Sequence, residues 1–582
     1  METFNNIIFY AGMILSFICV CQMYTYTGEE YGGGDAGSDK EKKETHGISD
    51  IKSRFAEIGK KGNIPELNIP DNVYTALLIL GAVVSAAVRI YQFGSVPGGF
   101  NQDGAMASVD AAALADYGTD RYGMRFPVHL TAWGYGQMSA LLSYLMIPFI
   151  KLFGFSPLVL RLPQLIISLI GILCLYLFIK NAFGKNIGLF VFLFAAINPW
   201  HIIQSRWALD CNLYPHFFII GIYFLHKGIN KKLYLVLSMI FFGLCMYCYG
   251  VSIYTMPIFL VLSCIYLLAA KKINIKDAVL SAAVYLLTAW PFIMVMMINF
   301  FKWDTIETPF FTIPYFKDSV RSNDIVFFSD NIGKQLIENF KSLINVVFLQ
   351  KKDLPWNDIE GFGTIYIFSL PFVVLGIISL FKRYRKNTGT AFVVFYFVTG
   401  VFCGLLTNGI NVNRVNIIFY SMIILAGFGI YEASKWFVFA KWGLPAVYIA
   451  AFAMFVNVYF TTYPKEIRGY FHGDFGDALE AAKEVDASKY YITRYYNADD
   501  LTEILILFYH KVDAEYFQGI SDGEDMPFDE KYTICNMSEL EIQPSEDAAY
   551  VVSSDELVYF DIDLYDIEEF GGYCVLTPKT NY

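Results

Sequence analysis

Four short windows of this chain set ionisable or amide side chains at the ends of long apolar runs. In the first, Val96-Pro97-Gly98-Gly99-Phe100-Asn101-Gln102-Asp103-Gly104 interrupts an apolar run over 72–92 and introduces a carboxylate, Asp103, with the Gln102 amide beside it. A charge there is poorly suited to anchoring and well suited to act as a base on a hydroxyl or amine. It equally suits a helix N-cap, since a small-residue helix is expected over Gly104 to Asp116. In the second, Gln204-Ser205-Arg206-Trp207-Ala208-Leu209-Asp210-Cys211-Asn212, an Arg precedes an Asp by four residues. That spacing reads as an i,i+4 ion pair or as an anion-binding guanidinium, Arg206, beside a second carboxylate, Asp210, with Asn212 adjoining.

The third window, Asn411-Val412-Asn413-Arg414-Val415-Asn416, flanks one Arg with three Asn. Snorkelling explains a lone Arg at a helix end. The Asn cluster argues for a polar pocket, in which the planar fork of Arg414 matches a phosphate. Arg89 and Arg161 stand at similar helix ends as weaker anion-binding candidates. The fourth, Arg125 to Gln137 (RFPVHLTAWGYGQ), holds His129 among aromatics and glycines. These suit a membrane-interface belt or a sugar-stacking surface. Asp103 and Asp210 are hard oxygen ligands suited to Mg or Mn, although two carboxylates alone do not make a metal site.

The elements around these windows are apolar helices. The 582 residues are 55% hydrophobic and 17% charged, and many windows of about 20 residues lack a charge, the length that crosses a bilayer. This excludes a soluble globular class and predicts a polytopic membrane protein. No basic stripe points to nucleic acid. Most cysteines fall in apolar stretches as small hydrophobes, Cys245 and Cys248 included. Cys535 and Cys574 lie in a polar region and are candidates to pair in an oxidising compartment.

An uncleaved helix is expected over 1–27, followed by a flexible cytoplasmic linker, 28–71, too polar to bury a core. Apolar stretches follow near 72–92, 137–153, 158–180, 186–203, 212–227, 231–249, 251–270, 276–300, 362–381, 389–408, 411–434 and 438–460. Basic residues recur at alternate ends: Lys180 and Lys185, Lys227 to Lys232, Lys271 to Lys276, Lys382 to Lys386, Lys435 and Lys441. The positive-inside rule makes those ends cytoplasmic. Parity then requires 137–153, short and carrying Pro148, to be a juxtamembrane or re-entrant helix, which puts Asp103 and Asp210 on one external side. About twelve spans are expected, with a membrane domain over 72–462. From 463 to 582 the pattern becomes a small acidic external α/β domain, with helices at 474–485 and 499–511 and strands at 489–493, 549–552, 556–560 and 573–578.

The order R-x7-P-G-G-x3-D (Arg89 to Asp103), P-x-H-x3-W-G-x-G-Q (Pro127 to Gln137), L-F-G-F-S-P-x3-R-L-P (Leu152 to Pro163) and N-P-W-H-x3-S-R-W-A-L-D (Asn198 to Asp210) resembles the GT-C membrane glycosyltransferases. Within them it is most similar to the protein O-mannosyltransferase and aminoarabinose-transferase group, glycosyltransferase family 39 and its bacterial relatives. The resemblance implies that Asp103 is the external-loop carboxylate acting as base, that Arg206 and Asp210 match the second loop's Arg and Leu-Asp, and that Arg414 matches a late Arg meeting the lipid phosphate. Where the family often has Asp-Glu, this chain has Asp103-Gly104. The implied activity is inverting sugar transfer from a polyprenyl-phosphate donor to a protein, lipid or glycan acceptor, at the outer face of a bacterial plasma membrane. A lipid-linked glycan flippase and a polysaccharide polymerase or ligase are the competing expectations.

Overall fold

The computed structural model describes residues 1–30, 67–132, 136–317, 325–351, 353–518, 528–542 and 547–579. Of the expected linker, 28–71, residues 31–66 lie outside them, as do Trp133-Gly134-Tyr135; Glu2–Glu30 is helical to its end, and a helix starts again at Asp71.

Helix length sorts the apolar stretches. Among the described residues, seven helices are long and apolar enough to cross a membrane: Glu2–Met23, Asp71–Ile90, Pro157–Phe183, Ser252–Ala269, Ile275–Phe301, Thr388–Leu406 and Phe439–Thr461. The remaining stretches form shorter or more polar helices. The 186–203 stretch breaks at Asn198 into Lys185–Ala196 and Pro199–Gln204, because Asn198 caps the second helix by accepting from His201 N at 3.1 Å. Near 231–249 the helix stops at Leu244, and 362–381 becomes helical only from Leu370. The 411–434 helix begins at Ile418, which leaves Arg414 in a turn. Leu141–Phe153 has 13 residues, about 20 Å of rise, too short to cross, and it packs against Gln102–Asp116 and Pro157–Phe183.

The basic connections gather at one end of the bundle. Lys185 pairs with Asp71 at 2.5 Å and Lys232 with Asp277 at 2.6 Å, and Asn387 Nδ2 donates to Ala182 O at 2.5 Å. Helices that start or stop there run to the opposite end, where the connections carrying Asp103, Asp210, Tyr249 and Arg414 meet around one cavity. The first helix packs beside Leu370–Arg383; Asn5 Nδ2 donates to Gly361 O at 2.6 Å and Phe4 meets Phe368 edge-on.

The C-terminal part forms a five-stranded sheet in the order Tyr532–Cys535, Lys489–Thr493, Ala548–Ser553, Tyr573–Pro578, Tyr565–Phe570. The first three are parallel and the last two join antiparallel. The helices Gly473–Glu484 and Asp499–Tyr509 match expectation. The strand expected at 556–560 is instead a 3-10 turn over Ser554–Tyr559, started by a Ser553/Glu556 capping box. Two strands went unread because their faces are short or mostly exposed, Tyr532–Cys535 and Tyr565–Phe570. Cys535 and Cys574 are free thiols on strands separated by two others, about 14 Å at 4.8 Å per strand, beyond disulfide reach.

Candidate active site

Asn101, not Asp103, caps the Gln102–Asp116 helix: its side chain accepts from Asp103 N at 3.0 Å. Asp103 is thereby in the first helical turn, where the N-terminal dipole favours a carboxylate. The next position admits only glycine. A Cβ on Gly104 would lie 2.6 Å from Ala208 O and 3.0 Å from the Phe100 ring. The second acid seen at this place in the resembled family has no room here, because the helix backbone rests on the turn leading to Asp210. That contact brings the two carboxylate segments together.

Residues 205–209 are not helical, so the four-residue spacing of Arg206 and Asp210 is no helical pair. Arg206 is fully buried and caps the end of Asp71–Ile90. Nη1 donates to Val88 O and Arg89 O (2.9 and 2.7 Å), and Nη2 to Tyr91 O, Gln92 O and Val96 O (2.8, 3.1 and 3.2 Å). Its plane lies against Tyr459 and Phe460. Arg161, equally buried, donates to Gly94 O, Pro97 O and Gly99 O at 2.8, 3.0 and 2.6 Å and so braces the Pro-Gly-Gly turn. Arg89 bonds Ser85 O, Ala196 O and His201 Nδ1. Asn212 is 1% exposed, and its backbone carbonyl accepts from Gln164 Nε2 at 3.2 Å. Of the residues expected to bind substrate, Arg206, Arg161 and Asn212 do not line the cavity, and backbone carbonyls hold both guanidiniums.

The cavity, about 640 Å³, is lined by Gln102, Asp103, His129, Asp210 and Arg414 among others. His129 sits on a two-residue hairpin, paired with Ser139, its ring edge-on to Phe292 and Phe316 at 5.5 and 5.9 Å. Arg414 is held by a bond from its Nη1 to Asn408 O and by Asn411, whose side chain accepts from Arg414 N at 3.0 Å. Reading by residue type missed Trp207, Tyr254 and Trp356, which also line it. The Trp207 Nε1 is buried with no protein partner among the described residues. Asp353 was missed too: it accepts from Val412 N at 2.7 Å and Asn357 Nδ2 at 2.9 Å, tying the Trp356 loop to the Arg414 turn, and burial raises its carboxyl. Its only signal was a polar Lys351-Lys352-Asp353-Leu354-Pro355-Trp356-Asn357 patch in a long loop. No group of three or more His, Cys, Asp or Glu stands close enough to hold a metal among the described residues.

A crystal structure of ArnT from Cupriavidus metallidurans bound to undecaprenyl phosphate matches with a TM-score of 0.52 at 14% identity, over 88% of this chain and 99% of that one. The chain shares the fold of that protein. The family model for dolichyl-phosphate-mannose-protein mannosyltransferase matches residues 139–298, a stretch running from the His129 hairpin through Asp210. The Archaeoglobus fulgidus oligosaccharyltransferase AglB, in complex with an inhibitory peptide and a dolichol-phosphate, matches more distantly, with a TM-score of 0.42 at 14% identity over 87% of this chain and 74% of that one. No curated protein matches the chain in sequence. The GT-C resemblance read from motif order is thus met by fold and by family model, and the chain is an integral membrane protein with several apolar helices.

Proposed function

We propose that the protein transfers a sugar from a polyprenyl-phosphate donor to an acceptor hydroxyl or amine, inverting the anomeric carbon, at the non-cytoplasmic face of the membrane. The observation that carries this is one cavity faced by two carboxylates, Asp103 and Asp210, and one guanidinium, Arg414, within a fold also seen bound to undecaprenyl phosphate. The basic connections lie at the far end of the bundle, and by the positive-inside rule that end is cytoplasmic. That orientation puts the cavity and the C-terminal unit outside, and the likeness to a bacterial enzyme supports a bacterial plasma membrane.

Asp103 takes the proton of the acceptor as its oxygen or nitrogen bonds to the anomeric carbon. The bond from that carbon to the phosphate oxygen breaks, and its electron pair leaves with the lipid phosphate. Arg414 stands where the departing charge would be met by a forked donor. Asp210 orients the acceptor, and His129 and Gln102 line the sugar's path. If Mg or Mn takes part, Asp103 and Asp210 would hold it and it would neutralise phosphate charge.

Transfer from undecaprenyl-phosphate sugars by purified protein tests the reading, with Asp103→Asn as the decisive variant. Keeping shape while removing the base should lower kcat by about 10²-fold or more with unchanged thermal stability. Full activity in Asp103→Asn would sink the assignment.

A further inference from the structure

The Gln102 amide is held by the C-terminal unit. His472, 6% exposed in the turn before Gly473–Glu484, has Nε2 3.0 Å from Gln102 Oε1 and Nδ1 3.0 Å from the Tyr495 hydroxyl. An amide oxygen only accepts, so Nε2 carries the hydrogen. A neutral imidazole has one N–H, so Nδ1 is bare and accepts from Tyr495. Burial lowers the His472 pKa to about 4, which keeps the ring neutral at pH 7. Donation therefore runs one way, from Tyr495 to His472 to Gln102.

With its oxygen turned to His472, Gln102 has its two amide N–H groups to offer the cavity it lines. We infer that His472 and Tyr495 are positioning residues that fix the Gln102 amide so that it donates to an oxygen of the bound lipid-linked donor. This rests on the transfer reading above, and it gives the C-terminal unit a part in the site. The unit is well anchored for that part. Phe100 N donates to Phe471 O at 2.7 Å, Phe100 stacks on Phe508 at 4.6 Å, and the Tyr117 hydroxyl bonds both oxygens of Asp513. A fixed amide is worth more than a free one because a donor held in place loses no orientational freedom when substrate arrives.

The backbone at His472 allows a sharp test. Its φ is 52°, a left-handed conformation that Asn tolerates better than Gln. Gln, however, places its amide nitrogen near the position of imidazole Nε2, whereas Asn reaches only the Nδ1 position. If His472 acts through the relay, His472→Gln keeps kcat within about 3-fold while His472→Asn loses about 10-fold or more, and Gln102→Ala combined with His472→Asn is no slower than Gln102→Ala alone. Asn equal to or better than Gln, or losses that multiply in the double variant, would show that His472 serves the backbone and overturn the inference. A second measurement needs no activity. In the ¹⁵N spectrum of histidine-labelled full-length protein at pH 7, His472, identified by the signal lost in His472→Ala, should be protonated at Nε2. Protonation at Nδ1 would turn the Gln102 oxygen toward the cavity and overturn the relay. Wild-type protein inactive with every undecaprenyl-phosphate sugar tried would count against the transfer reading, while the tautomer still decides the relay.

Discussion

Arg206 directs its two Nη groups at five carbonyls, Val88 O and Arg89 O in the last turn of the Asp71–Ile90 helix and Tyr91 O, Gln92 O and Val96 O in the chain that leaves it; the two helical ones are acceptors that a helix terminus leaves without intrahelical partners. A lysine cannot replace it: an ammonium has three donors and no planar fork. Arg206→Lys is therefore expected to destabilise the protein by on the order of 2–4 kcal/mol, the cost of leaving buried carbonyls unpaired. This would appear as a lower apparent Tm in detergent, with donor KM unchanged in the protein that stays folded. A raised KM at unchanged Tm would instead put Arg206 on the donor. The residue type was legible in the sequence and its partner was not, because one fork fits phosphate oxygens and helix-end carbonyls alike. Asp103 shows the converse. Its two sequence readings were separated by a neighbour, since Asn101 takes the cap and leaves Asp103 to the cavity.

Among elements, the Pro-Gly-Gly turn joins the membrane bundle to the C-terminal unit, and its two glycines are unequal. Gly99 has φ +77°, and a Cβ there would run into Phe471 O and the Gly473 backbone, whereas Gly98 has its nearest atoms at 3.6 and 3.7 Å. Gly98→Ala should leave activity and Tm almost unchanged. Gly99→Ala should break the Phe100–Phe471 bond, displace the Gln102-Asp103 turn and abolish most transfer, with faster proteolysis after residue 468; equal behaviour of the two variants would show that the contact does not hold the turn. The sequence marked the turn but could not rank its glycines, since the partner lies some 370 residues away. Local signals fared well where length or capping decides alone, as in the 13-residue Leu141–Phe153 helix. They failed at Tyr565–Phe570, an edge strand whose four middle residues are all exposed, so alternation never appears.

At the scale of the whole molecule, acid should act on the two parts with opposite signs. His472 and His510, both buried in the C-terminal unit, have pKa values lowered to about 4 and about 3, first by burial and for His510 also by Lys483 and Lys531. Unfolded imidazole titrates near 6.5. Between these values the unfolded state binds the extra proton, so stability present above pH 6.5 is lost as pH falls toward 4 and 3. At pH 4.5 each histidine costs about 2–3 kcal/mol. Asp120, in the turn after Gln102–Asp116, has its carboxyl raised to about 7 by burial and by Asp110. There the native state holds the proton more tightly, so the same acidification through pH 7 relieves that turn. Hydrogen exchange at pH 7.5 and 4.5, corrected for intrinsic rates, should therefore show protection falling in Gly473–Glu484 and Asp499–Tyr509, with no loss in 117–125 or in Pro157–Phe183. Equal loss in all four segments would mean that acid unfolds the chain as one unit, and that the histidines do not set where it gives way.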